Sequence, residues 1–286
     1  MSHSSRRQHM IGMLSMAAAS LVPTAARAQP RSYRFSPVNQ YGVQLTAAYW
    51  NPIILWVSQR TGIPIELKVG RTSADTTTFV LTGEVDFAFT NHLFSPEREK
   101  LGWQLLARRD APQVRGQVVV MDDAKVRTLR DLHQQDVGFP GPEAFIAYKV
   151  TLAQMLKESV QPKVVFCGNM DSALTQLASG RVRAVGGNSQ LVEGFARRTG
   201  AKLRPLWSSP GYPDLALLSS PKVPSSDALA VQSAFLAMKQ DPDGQEVLQQ
   251  VSALVEMPSV AGFVKARPDD YDVYRRFFRE APVSLR

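Results

Sequence analysis

Gly83-Glu-Val-Asp-Phe-Ala-Phe-Thr-Asn-His-Leu93 is the stretch that decides the fold. A helix is predicted to end at the glycine, and the apolar run after it predicts a buried strand with polar Thr90, Asn91 and His92 at its tip. The same order returns in Gly180-Arg-Val-Arg-Ala-Val-Gly-Gly-Asn-Ser189, where an asparagine again ends a short apolar strand. Two similar halves, each with a polar strand tip, indicate two lobes with a ligand cleft between them.

Strand-like and helix-like segments alternate along both halves of the chain. Residues 32–35 and 64–69 predict strands on either side of a helix over residues 43–60, within which Pro52 is expected to cause a kink or to mark a fresh helix start. A second-half helix is predicted over residues 143–158. This alternation predicts an α/β fold in which each lobe is a mainly parallel sheet flanked by helices.

The chain is predicted to cross between the lobes twice, which makes a hinge. Residues 29–118 and 214–286 are assigned to the first lobe, and residues 119–213 to the second. The final amphipathic segment, residues 271–278, is expected to pack back on the first lobe.

The amino-terminal 28 residues read as a signal peptide. Arg6 and Arg7 precede an apolar run from Met10 to Val22 that is too short to span a bilayer, and Ala26-Arg27-Ala28 is a typical cleavage site. The paired arginines favour a Tat-like signal, and an ordinary Sec signal is the alternative. The mature protein is therefore expected in the periplasm without stable membrane insertion.

The remaining composition excludes several classes of function. Removal of the signal lowers the formal charge from +8 to +5, and the basic residues are spread out, so nucleic acid is not an expected partner. Cys167 is the only cysteine, which excludes an internal disulfide. No catalytic or zinc-binding motif appears, so neither enzyme activity nor a cofactor nor a metal is predicted, and the protein is expected to be a monomer.

Candidate ligand contacts follow from the rule that ligands bind beyond the carboxyl ends of parallel strands. Asn91 and His92 are the strongest candidates, because two side chains rich in hydrogen-bonding groups directly follow an apolar strand. The complete predicted set is Asn39, Tyr41, Thr72, Asn91, His92, Glu143, Asn169, Met170, Asn188 and Tyr212.

Several of these residues have a structural alternative. Tyr41 either contacts the ligand or covers a lobe, and Thr72 with Ser73 either caps a helix or binds ligand. Glu143 either stabilises the first turn of a helix or pairs with a cationic or hydroxyl-bearing ligand. Cys167 and Met170 could together suit a soft metal, and packing is the alternative.

Several segments together resemble one known family. They are Arg34-Phe-Ser-Pro37, Gly83-Glu-Val-Asp-Phe-Ala88, Leu129-Arg-Asp-Leu132, Phe166-Cys-Gly-Asn-Met-Asp-Ser-Ala-Leu174 and Ala178-Ser-Gly-Arg-Val-Arg-Ala184. Over nearly the whole mature chain they resemble the periplasmic phosphate/phosphite/phosphonate-binding proteins of ABC transporters. The resemblance implies a two-lobed type II periplasmic-binding-protein fold that closes on a small polar ligand and delivers it to a permease. The alternatives are a ligand sensor for a membrane histidine kinase and an enzyme on the same fold.

The chain departs from that family at the expected ligand site. Phe139-Pro-Gly-Pro-Glu-Ala-Phe145 replaces a hydroxyl-rich turn, so prolines remove amide donors and Glu143 adds negative charge near the site. Met170 stands where the family often has histidine, and Arg183 where it often has aspartate. These departures predict weak or no binding of inorganic phosphate.

Overall fold

The computed structural model describes residues 32–286, and the predicted signal peptide lies outside the described residues. The strands are β1 (Tyr33–Pro37), β2 (Ile65–Leu67), β3 (Phe87–Thr90), β4 (Gln104–Arg109), β5 (Val114–Met121), β6 (Asp136–Phe139), β7 (Lys163–Phe166), β8 (Ala184–Asn188), β9 (Leu203–Tyr212), β10 (Ala216–Ser219) and β11 (Phe263–Lys265). The α-helices are α1 (Val43–Thr61), α2 (Asp75–Leu81), α3 (Pro96–Glu99), α4 (Thr151–Lys157), α5 (Met170–Ala178), α6 (Ser189–Thr199), α7 (Ser225–Ala237), α8 (Pro242–Leu254) and α9 (Asp272–Glu280). None of these helices is long and apolar enough to cross a membrane.

The strands form two separate sheets. The first has the order β11-β4-β10-β3-β1-β2, and the second has the order β7-β6-β8-β5-β9. The chain passes from the first sheet to the second between β4 and β5, and it returns between β9 and β10. The predicted limit after residue 118 falls inside β5, whose partners β8 and β9 lie in the second sheet. The exact domain limits stay a prediction.

The sheets are mixed, which corrects the expectation of mainly parallel pairing. In the first sheet β1 is parallel to β2 and β3, whereas the β10–β3, β10–β4 and β11–β4 pairs are antiparallel. In the second sheet β6 is parallel to β7 and β8, and β5 is antiparallel to β8 and β9. The parallel pairs occur in the two segments where strands and helices alternate, β1-α1-β2-α2-β3 and β6-α4-β7-α5-β8. Strands β5 and β10, which both form antiparallel pairs, are the first strands after each crossing between the sheets.

Helix α1 covers one face of the first sheet. Tyr49, Trp50, Ile53 and Val57 are buried at helical spacing and pack in one core with Phe89. The helix continues through Pro52 over its full length, so the proline does not divide it. This core holds the strand tips of the first sheet in place.

A helix with a π-helical first turn carries part of the second lobe's contribution to the cleft. Residues Phe145–Val150 form the π-helical turn, and α4 continues from it. The helix begins two residues later than predicted, after the turn that contains Pro142. A Cβ at Gly116 would lie 2.8 Å from the Ile146 carbonyl oxygen, and one at Gly186 would lie 2.3 Å from that of Ala147. Glycine at both positions therefore lets the turn lie directly on β5 and β8.

Helix α9 packs against both sheets, not only against the first as expected. Phe94, which follows β3, stacks on Tyr271 just before the helix with ring centroids 4.1 Å apart, and it lies 5.4 Å from the ring of Tyr274 within the helix. Phe145 of the second lobe lies 4.3 Å from the ring of Tyr274 and 5.4 Å from that of Phe278. These rings belong to one buried cluster, which we call the joining core. The joining core unites the two sheets.

Candidate functional site

Polar strand tips of both sheets enclose a cavity of about 50 Å³. A buried water needs about 10–15 Å³ of such volume, so the cavity has room for roughly four waters or one ligand of that size. The lining residues are Val38, Asn39, Gln40, Ser73, Asn91, His92, Pro140, Ala144, Phe145, Ile146, Ala147, Met170, Asn188, Leu191 and Leu215.

Loops from the two lobes close over this cavity through backbone hydrogen bonds. The amide of Ser73 donates to the carbonyl oxygen of Gly168 at 2.8 Å, and the amide of Met170 donates to that of Gln40 at 3.1 Å. Ser73 and Gln40 come from the first lobe, and the other two residues come from the second. These contacts hold the two lobes together beside the cavity, so the structure is a closed form.

His92 is buried in the cavity wall and uncharged at neutral pH. Its Nδ1 shares a hydrogen bond of 2.8 Å with the hydroxyl of Thr77. Burial lowers the pKa of His92 to about 4; the charge of Glu143 opposes this shift, and those of Arg98 and Lys149 reinforce it. The ring is therefore a neutral polar group in the cavity wall and carries no positive charge at neutral pH.

The buried neutral state of His92 makes stability depend on pH. The unfolded chain takes up a proton near pH 6.5, whereas the folded chain takes it up only near pH 4. We expect the His92 contribution to the free energy of unfolding to be full above pH 6.5 and to fall by about 3 kcal/mol as the pH decreases to 4. Urea titrations across this range would measure it. His92→Gln should lose this part of the pH dependence, and His133→Gln, at an exposed position, should keep it. A wild-type slope retained in His92→Gln would contradict the assignment.

Asn91 follows β3 directly, and within residues 32–286 only one side of its amide has a hydrogen-bond partner. Its Nδ2 donates to the hydroxyl of Tyr274 at 3.2 Å, and only 4% of the residue is exposed. Asn188 ends β8 in the second lobe, where its Oδ1 accepts from the amide of Gln190 at the start of α6. The structure thus brings the two strand tips of the repeated pattern to one cavity.

Asn39 lines the cavity, but its side chain is already fully hydrogen-bonded. Its Nδ2 donates to the carbonyl oxygens of Gly70 and Arg71, and its Oδ1 accepts from the amide of Gly42 and the hydroxyl of Thr46. An asparagine amide has two protons and two lone pairs, so no capacity remains for a ligand. Asn39 fixes the loops around the site.

Ser73 has the free polar group that Asn39 lacks. It is 3% exposed, it lines the cavity, and its hydroxyl has no hydrogen-bond partner among residues 32–286. The side chain caps no helix, since α2 begins after Ala74 without a side-chain cap. The neighbouring Thr72 instead donates its hydroxyl to Asp75 at 2.8 Å and lies outside the cavity lining.

Glu143 forms an ion pair across the two lobes. Both of its carboxylate oxygens accept from the guanidinium of Arg98, with 2.9 Å between Oε1 and Nη2. Burial opposes ionisation of Glu143, but the Arg98 hydrogen bond and the nearby charges outweigh it, so the pKa lies below its ordinary value. Glu143 does not line the cavity, and its charge is already paired. A role in ligand binding stays a prediction that this geometry does not favour.

Of the remaining predicted residues, Met170 lines the cavity. Tyr41, Asn169 and Tyr212 lie outside the lining. The ring of Tyr41 lies 5.5 Å from the guanidinium of Arg198 in the second lobe. Asn169 caps α5 by accepting from the amide of Ser172. Tyr212 belongs to the joining core, and Met170 contributes a buried thioether to the cavity wall.

Full charges and metal ligands are missing from the described part of this site. The lining contains no lysine, arginine, aspartate or glutamate, and its only histidine is uncharged at neutral pH. Among residues 32–286, no group of three histidine, cysteine or acidic side chains could hold a metal ion. Cys167 lies outside the lining, and burial raises the pKa of its thiol.

A cavity between two α/β lobes joined by two crossings is typical of solute-binding proteins. The family model described as "ABC transporter, phosphonate, periplasmic substrate-binding protein" matches residues 35–271, so the chain belongs to that family. This confirms the predicted solute-binding role within an ABC transporter. The proteins of this family act in the periplasm.

Solved structures with the same fold are distant in sequence. A binding-protein component of an ABC phosphonate transporter from Pseudomonas aeruginosa has 17% identity and a TM-score of 0.75, over 88% of this chain and 86% of that chain. PhnD1 from Prochlorococcus marinus, in complex with methylphosphonate, has 15% identity and a TM-score of 0.73, over 88% and 98%. These similarities confirm the two-lobed type II fold. No curated protein sequence matches the chain.

Proposed function

We propose that this protein captures a small alkylphosphonate, with methylphosphonate as the simplest example, and presents it to an ABC-transporter permease in the periplasm. The observation that carries the proposal is the cavity of about 50 Å³, which is lined by polar groups on the strand tips and by apolar side chains that form the rest of its wall. Such a cavity suits a ligand with an oxygen-rich head and a small apolar substituent.

Uncharged groups would hold the head of the ligand. Ser73 has an unpaired hydroxyl, and Asn91 and His92 present neutral polar side chains. The first amides of the π-helical turn, from Phe145 to Ala147, have no acceptor within the helix, and the positive end of the helix dipole favours an anion there. Since Arg98 neutralises Glu143, the turn repels an anion less than the sequence implies.

The apolar wall would select a phosphonate over inorganic phosphate. Val38, Leu191 and Leu215 line the cavity and offer no hydrogen bond. A methyl group fits such surroundings, whereas the fourth oxygen of phosphate would be buried without a partner, at a cost of about 1–3 kcal/mol. The proposal therefore keeps the prediction of weak phosphate binding and gives it a physical cause.

Closure of the lobes would transmit binding to the transporter. A ligand that contacts both lobes favours the closed form, and a permease that recognises this form would receive only loaded protein. Export would use the Tat-like or Sec signal predicted over residues 1–28. The proposal includes no chemical conversion of the ligand, and family membership supports a transporter as the partner over a sensor kinase.

Replacement of Asn91 by alanine tests the proposal. We expect Asn91→Ala to weaken methylphosphonate binding by about 10- to 100-fold, because a hydrogen bond to a charged group contributes about 1.5–3 kcal/mol. Calorimetric titration would measure the affinity, and thermal unfolding should show a nearly unchanged melting temperature.

The control is Asn51→Ala, at an exposed position on α1, which should bind like the wild type. Phosphate bound as tightly as methylphosphonate would contradict the proposed selectivity. A wild-type protein that binds no phosphonate would contradict the proposed ligand class.

A further inference from the structure

Tyr274, on helix α9, connects the cavity to the crossing between the sheets. Its hydroxyl donates to the carbonyl oxygen of Pro213 at 2.7 Å, and the side-chain amide of Asn91 donates to the same hydroxyl at 3.2 Å. Asn91 and Tyr274 are both buried, with exposed fractions of 4% and 0%. These two hydrogen bonds, which we call the relay, therefore link the segment between β9 and β10, where the chain returns to the first sheet, to the tip of β3.

The direction of the relay follows from the chemistry of its ends. A backbone carbonyl oxygen can only accept, so the oxygen of Pro213 takes the single proton of the Tyr274 hydroxyl. The hydroxyl then has only lone pairs left for Asn91, which must turn its Nδ2 toward it. Burial raises the pKa of Tyr274 well above its ordinary value, so the hydroxyl keeps its proton.

The opposite side of the Asn91 amide is left for the cavity. No residue in the described range 32–286 donates a hydrogen bond to Asn91 Oδ1, and Asn91 lines the cavity. We propose that Tyr274 is a specificity-determining residue, which holds Asn91 so that Oδ1 faces the ligand as an acceptor and selects ligands with a hydrogen-bond donor. This inference rests on the proposed function, for which the donor is the P–OH group of a singly protonated phosphonate.

The same arrangement would reject a fully deprotonated oxyanion. Such a ligand would place an oxygen lone pair against Asn91 Oδ1, with no proton between the two acceptors. A site that hydrogen-bonds a particular group discriminates strongly against analogues without it, because a buried polar group is then left unpaired. Without Tyr274, the amide could rotate and offer Nδ2, which would remove this discrimination.

Methylphosphonate and methanesulfonate provide a matched pair of probes. In a mildly acidic buffer both are tetrahedral, carry one methyl group and bear one negative charge, but only methylphosphonate keeps a hydroxyl proton. We expect the wild type to bind methylphosphonate at least about tenfold more tightly, as one charge-assisted hydrogen bond implies. Tyr274→Phe should bring the ratio of the two dissociation constants close to one.

Tyr271→Phe is the matched control. The Tyr271 hydroxyl is also buried and also donates to a carbonyl oxygen of the crossing, that of Asp214 at 2.9 Å, but it does not contact Asn91. Its loss should affect stability in a similar way and leave the ratio at the wild-type value. Equal binding of both probes by the wild type, or the same change of the ratio in both variants, would overturn the inference.

A second measurement decides the orientation of Asn91 without a ligand. Binding of neither probe by the wild type would contradict the proposed function, while the Asn91 side-chain resonances in ¹⁵N-labelled protein would still report on the relay. Slow exchange of these amide protons in the wild type and in Tyr271→Phe, with faster exchange in Tyr274→Phe, would support the role of Tyr274. The same exchange in all three proteins would overturn it.

Discussion

Asp214→Asn is expected to lower the free energy of unfolding by about 3–5 kcal/mol, the usual effect of removing one partner of a buried ion pair. Asp214 and Arg109 are each 3% exposed, and their side chains are 2.8 Å apart. Burial alone would lower the pKa of Arg109. The neighbouring Tyr49, Asp214 and Tyr41 outweigh this effect, so the pKa of Arg109 lies above its ordinary value. Asparagine keeps the shape of the side chain and removes its charge, so an uncompensated guanidinium would remain in the interior.

Urea denaturation would measure this loss, with the exposed pair of Lys239 and Asp110 as the control. Their atoms are also 2.8 Å apart, but their side chains are 51% and 40% exposed. Asp110→Asn should therefore change stability by less than about 1 kcal/mol. Comparable losses in Asp214→Asn and Asp110→Asn would show that burial of the first pair has no special effect. Because Arg109 ends β4 and Asp214 precedes β10, the pair ties together the two crossings between the sheets.

Phe145→Ala is the second substitution with a large expected effect, again a loss of about 3–5 kcal/mol in the free energy of unfolding. The ring is 2% exposed and contacts the rings of Tyr212, Tyr274 and Phe277, with centroids 5.6, 4.3 and 4.9 Å away. Its removal would leave a void in the joining core and enlarge the ligand cavity, which Phe145 also lines.

Phe166→Ala provides the comparison for Phe145. Phe166 is 47% exposed on β7, and its ring contacts Tyr148 at 5.1 Å. We expect Phe166→Ala to lower the free energy of unfolding by less than about 1.5 kcal/mol, the upper end of the range for a single aromatic pair. A Phe145→Ala protein with the stability of the wild type would contradict the view that the joining core unites the sheets. The midpoint and slope of urea denaturation measure both variants on the same scale.

The local parts of the site could be predicted from the sequence. An apolar strand that ends in hydrogen-bonding residues has a buried body and a tip at the sheet edge, and this places Asn91, His92 and Asn188 at the cavity. The rule that ligands bind beyond strand ends also selects Asn39. It cannot distinguish a free side-chain amide from one whose hydrogen-bonding groups are already paired with nearby loops. The difference lies in hydrogen-bond partners and not in residue type.

The long-range parts could not be predicted in this way. Arg98 neutralises Glu143 from 45 residues away, and Tyr274 reaches Asn91 from 183 residues away. Neither distance leaves a periodic signal in the sequence. The placement of β10 between β3 and β4 is equally invisible to local patterns, since it depends on how the chain returns from the second sheet. Local patterns in the sequence therefore indicate the cleft but not the contacts that orient its side chains.

Helix α9 has a further consequence for how the protein is made. The ribosome synthesises the chain from its amino end, so all eleven described strands exist before residues 272–280 emerge. Until then Phe94 and Phe145 lack the aromatic partners that they share through this helix. A nascent chain can form its sheets early, but contacts through α9 cannot join them until residues 272–280 have been synthesised. Premature termination before residue 272 would therefore produce a polypeptide with exposed aromatic surface, a substrate for chaperones and proteases.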